Sequence, residues 1–142
     1  MYLTLIFKNM TKNQLISHIN NIHNSKLNNS NTFFSNINKS KSVWWFNIST
    51  SKFDSDVNLL LNAEEYALWL FLPKGFVNQL NEKFNIRADK NAVDLEISSS
   101  INSNYLIDIK SNGSKFNFST FVKEKITFNK WQNKLLAKIG LM

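Results

Sequence analysis

The chain of 142 residues has no cysteine, one proline, three glycines and one arginine. Without cysteine there is no disulfide scaffold, no thiolate nucleophile and no zinc site built on sulfur. Three glycines cannot supply the phosphate-cradling GxxxxGK[ST] or GxGxxG loops, so no nucleotide cofactor is expected. Gly-x-Ser-x-Gly and HExxH are missing as well, which disfavours hydrolase-fold and zincin enzymes. The longest apolar run, residues 66–72, is far short of the ~20 residues that span a bilayer, and no membrane partner is expected. The start, Met1 to Lys8, lacks the basic, apolar and small-residue regions of a signal peptide, so the expected location is cytoplasmic.

Apolar residues make up 43% and aromatics 13%, including twelve Phe and four Trp. That is enough to bury a core in one domain over residues 1–142. The net charge is +7, from sixteen Lys and one Arg against ten acidic residues. A basic surface fits a polyanionic partner. The excess of Lys and Asn over Arg fits equally well an AT-rich coding sequence, and nucleic-acid readers usually carry more Arg.

Residues 1–8 alternate as a strand. Thr11 with Gln14 forms a capping-box signature ahead of Leu15, Ile16, Ile19 and Ile22, which predicts an amphipathic helix over 11–23. His18 and His23 ride on that helix five apart, off a common stripe, and make a poor joint metal site. Residues 24–42, rich in Asn and Ser, read as a long surface loop, with Phe33 and Phe34 as core anchors in preference to a binding tip. Aromatic and β-branched residues predict a strand over 43–48, and two apolar runs at 57–61 and 66–72 predict a hairpin, with a helix over 54–62 as the alternative that periodicity leaves open. Phe76, Val77, Leu80 and Phe84 predict a short helix. Residues 92–98 and 105–111 alternate and predict adjacent antiparallel strands, with a further strand over 115–122 after the Asn112-Gly113 turn. Residues 129–142 predict a second amphipathic helix, with Lys130, Lys134 and Lys138 on one stripe. The sum is an α+β fold: a mostly antiparallel sheet of six or seven strands, with amphipathic helices near both ends packed on it.

Two functional readings follow. The first is a small, basic, non-enzymatic domain without cofactor that binds nucleic acid or a protein partner, such as an accessory protein of a phage or mobile element. Lys130, Lys134 and Lys138 would meet phosphates. Of Trp44 and Trp45, which as strand neighbours face opposite sides, one at most faces a one-sided core, and the other is covered or exposed for stacking.

The second reading starts from Asp94 in one expected strand and Asp108-Ile-Lys110 in the next. This pattern resembles the core of the PD-(D/E)xK nuclease superfamily. The resemblance implies a Mg²⁺-dependent nuclease with Asp94 and Asp108 as metal ligands and Lys110 beside the attacking water. It covers about 17 residues, and Val93 stands where the motif name has Pro. Glu64 or Glu65 would have to supply the acid that the superfamily takes from a helix. Pairing of Ile97 with Tyr105 would put Asp94 across from Asp108.

Overall fold

A computed structural model describes residues 10–128 and 140. The expected first strand at 1–8 and last helix at 129–142 lie outside these residues.

Helix α1, Lys12–His23, begins where the sequence placed it. Thr11 Oγ1 accepts from the Gln14 amide at 3.2 Å, and Gln14 Oε1 accepts from the Thr11 amide at 2.9 Å. This reciprocal pair satisfies two amides that a helix start leaves open. Asn24 ends the helix in the left-handed region at φ 53°, which Asn tolerates better than most residues.

Seven strands form one sheet: β1 Thr32–Asn38, β2 Val43–Ser49, β3 Val57–Asn62, β4 Tyr66–Leu72, β5 Asn85–Arg87, β6 Ala92–Ser98 and β7 Val122–Thr127. Their order is β5-β6-β2-β1-β3-β4-β7. All neighbours are antiparallel except β1 and β3. The β3–β4 hairpin forms as its apolar runs predict.

The sheet is covered on two faces. On the first, Trp44, Phe46, Ile48, Leu59, Leu61, Leu68, Leu70, Val93, Leu95 and Ile97 meet a cluster of aromatics from the loops. There Phe76 touches Phe53, Phe84, Phe116 and Phe121, with centroids 5.6 to 6.0 Å apart. On the second face, Leu15 and Ile19 of α1 pack on Leu60, Ala67, Trp69 and Ile126. Burial on both sides is why β3 is apolar without alternation, and all six of its residues are buried. Its two Asn are paired: Asn58 Oδ1 accepts from Trp69 Nε1 at 2.9 Å, and Asn62 Nδ2 donates to Asn36 Oδ1 at 2.7 Å.

Four expectations are corrected. The stretch 24–42 is not one loop, because β1 occupies its middle and lies inside the sheet. Phe33 packs into the first core and Phe34 into the second, and pairing with β3 satisfies the backbone despite Ser35 and Asn36. The helix expected over 76–84 shrinks to one turn, α2 Leu80–Lys83. The left-handed Gly75 and extended Gln79 break the path, and the helical spacing of Phe76 and Phe84 reflects a shared aromatic cluster.

Residues 105–111 run antiparallel beside β6 but make only isolated bridges, Ile97 with Asp108 and Ile107 with Asn117. The intervening loop takes two tight turns, and Leu106 sits at φ 64°, so pairing resumes three residues later than Tyr105. The strand expected over 115–122 starts only at Val122, after a 3-10 turn at Ser119–Phe121. Phe116, Phe118 and Phe121 reach into the first core from this irregular segment.

No described helix is long and apolar enough to cross a membrane.

Candidate functional site

Strand alternation separates the two adjacent tryptophans. Trp44 lies in the first core, fully buried, and its indole nitrogen donates to the Asn62 carbonyl at 2.9 Å. It is unavailable to a ligand. Trp45, on the second face, is 48% exposed. Its backbone amide donates to Ser35 Oγ at 3.1 Å, because backbone pairing between β1 and β2 is confined to Ile37–Trp44 and Asn38–Val43.

The register of β2 on β6 sets what surrounds this ring. Trp45 lies opposite Glu96, and Asn47 lies opposite Asp94. Trp45 Nε1 reaches diagonally to Asp94 Oδ1 at 2.7 Å, a charge-assisted hydrogen bond. Lys110 Nζ stands 3.5 Å from the other Asp94 oxygen. Lys41 Nζ pairs with Glu96 Oε2 at 2.9 Å. Trp45 therefore stands among two acid–lysine pairs whose charges cancel.

The structure thus brings Asp94, Lys110 and Trp45 together. It gives Asp108 a different place. Asp108 is fully buried, and its Oδ1 accepts from the backbone amides of Glu96 and Lys110, both at 3.1 Å. The carboxylate replaces the carbonyl that a regular strand would offer Glu96, and it ends the pairing there. Burial pushes its pKa up to about 6, against the two amides that hold it down, with the charges of Glu96 and Asp94 raising it further. Its Oδ2 is buried and makes no hydrogen bond among the described residues. Gly113 leaves no slack there, since a Cβ on it would lie 3.0 Å from that oxygen.

These residues do not suit a Mg²⁺ ion. One Asp108 oxygen is committed to two amides, and the Ile97–Asp108 bridge carries Asp108 away from the position opposite Asp94. Glu64 and Glu65 fall in the β3–β4 turn and not on a helix. No group of three or more His, Asp or Glu fit to hold a metal occurs among the described residues. Lys130, Lys134 and Lys138 lie outside the described residues.

The hydrogen bond from Trp45 to Asp94 joins residues 49 apart in sequence. Alternation marks Trp45 as a surface candidate, but only the β2–β6 register reveals its partner. No family model, curated protein or solved structure matches the chain.

Proposed function

We propose that the chain is a non-enzymatic binding domain that docks a protein partner on the second face of its sheet, with Trp45 as the anchor. One observation carries this reading: a nearly half-exposed indole is held in a fixed orientation by Asp94, in surroundings where each charge is already paired. A large ring fixed before binding loses little rotamer freedom when covered, and tryptophans of this kind dominate the energy of protein interfaces. The exposed Ser49 and half-exposed Asn47 beside it offer polar groups for a rim.

Nucleic acid is the second reading, and the formal charge of +7 supports it. Around Trp45, however, the lysine charge is matched by Asp94 and Glu96, so a phosphate chain gains little there. A nuclease at Asp94, Asp108 and Lys110 finds the least support, for the reasons of geometry given above.

The deciding experiment is affinity purification from the native cell with the parent chain and Trp45→Ala, scoring recovered protein and nucleic acid together. A defined protein lost with Trp45→Ala supports the reading. Recovery of nucleic acid that depends on Trp45, with no such protein, replaces it by the second. Metal-dependent cleavage of DNA or RNA by the purified chain, abolished by Asp94→Asn, would restore the third.

A further inference from the structure

A separate cavity of about 430 Å³ opens at the far end of α1, between the helix and strands β3, β4 and β7. None of the residues around Trp45 lines it. Its volume lies in the range of small-molecule sites.

The floor is aromatic. Trp69 is nearly buried, and its indole nitrogen is held by Asn58, so the ring cannot turn. Phe71 lies beside it, half-buried. His23, the last residue of α1, stands edge-on to Trp69 with centroids 5.1 Å apart. Its Nε2 contacts Glu124 Oε1 at 2.8 Å. A carboxylate only accepts, so Nε2 carries the proton.

The walls carry charge of two kinds. Lys26 and Lys123 have no carboxylate within ion-pair distance among the described residues. The Lys123 ammonium stands 5.7 Å from the centre of the Phe71 ring, a weak hold that a phosphate would outbid. This contrasts with Lys41 and Lys110, whose charges are matched. Asp56 lies on the same cavity, with Oδ1 accepting from the Lys74 amide at 2.8 Å and Oδ2 left to accept from a ligand.

We propose that this cavity binds a nucleotide unit: a phosphate between Lys26 and Lys123, a base against Phe71 and the Trp69 edge, and a base N–H donated to Asp56. Each part answers a feature of the lining. A bare anion leaves the aromatic floor uncovered and meets Asp56 as a like charge. An uncharged aromatic leaves two ammonium groups unmatched. The chain has no glycine-rich cradle, so the phosphate is held by side-chain cations, which recognise it without fixing a triphosphate.

The unit can be a free nucleoside monophosphate or the phosphorylated end of a strand, and the test separates these sources. The probes are adenosine 5′-monophosphate, inorganic phosphate, and a ten-residue oligoadenylate with and without a 5′-phosphate. Binding is followed by NMR at the Trp69 indole N–H, with the other tryptophan indoles as internal references. Saturable shifts centred on Trp69 are expected with the monophosphate, at least tenfold tighter than with inorganic phosphate. The double variant Lys26→Ala/Lys123→Ala should weaken binding at least tenfold, whereas Lys90→Ala, an exposed lysine away from the cavity, should not. Tighter binding of the 5′-phosphorylated oligomer than of the free nucleotide assigns the site to strand ends, and the reverse assigns it to free nucleotides. The proposal is overturned if Trp69 does not respond at millimolar monophosphate, if inorganic phosphate binds equally well, or if the double variant binds as the parent does. Since the cavity shares no residue with the Trp45 surface, either result leaves the protein-docking reading to its own test.

Discussion

Trp45 Nε1 and Asp94 Oδ1 lie 2.7 Å apart, a side-chain link between the exposed part of β2 and the middle of β6. One carboxylate thereby holds an exposed ring on one oxygen and a lysine near the other. Asp94→Ala is expected to free the ring while leaving the core in place. The check is Trp45 side-chain order by NMR relaxation, together with denaturation. Order at the indole should fall, stability should drop by about 1–3 kcal/mol for the lost buried acceptor, and partner affinity should fall although Trp45 itself remains.

Asp108 makes stability depend on pH. Its folded pKa of about 6 lies above the ordinary carboxyl value. Between about pH 4 and 6 the folded chain therefore holds more protons than the unfolded one. The stabilisation from this group is fully present at low pH and is lost as pH rises through 6, on the order of 3 kcal/mol in all. Asp108→Asn keeps the oxygen that accepts from Glu96 and Lys110 and removes the buried charge. Denaturant titrations across this window should show the variant more stable than the parent at pH 7, with the decline flattened. An unchanged decline would place its origin in another group.

Gly113→Ala tests how closely the same carboxyl is enclosed. The added carbon would lie 3.0 Å from Asp108 Oδ2 and 3.2 Å from the Lys110 carbonyl. One of these is a buried side chain and the other is backbone, so neither gives way cheaply. A loss of about 1–3 kcal/mol is expected, measured by thermal melting.

Thr11→Ala removes one half of the capping box. The Gln14 amide then turns to water, and stability should fall by about 1 kcal/mol. Thr11→Ser keeps the hydroxyl and should recover most of it. Helix content by circular dichroism and a chemical melt together check this.

The elements legible in the sequence are those whose signals are local. Thr11 and Gln14 announce the helix start three residues apart, and the runs at 57–61 and 66–72 announce a hairpin joined by a short turn. The split of Trp44 from Trp45 follows from strand geometry alone. Strand β1 was hidden because Ser35, Asn36 and Asn38 have weak strand preference, and β2 and β3 impose the pairing from both sides. Phe76 and Phe84 imitate a helical stripe while serving one aromatic cluster. The register of 105–111 against β6 turns on the path of the loop before it, where a left-handed Leu106 has no sequence signature. That slip of three residues separates a two-carboxylate metal site from a buried carboxyl that ends a strand.

Strand β4 is paired with β3 on one side and with β7 on the other. The first neighbour is synthesised just before it, and the second only when residues 122–127 emerge from the ribosome. Until then, a nascent chain carries Ala67, Leu68, Trp69 and Leu70 along an open strand edge, the arrangement that recruits other chains. Chains that stop before Val122 should therefore aggregate or be held by chaperones, although nearly all of the first core has been made by then. For this protein, the last described strand acts as the closure that makes the earlier ones safe.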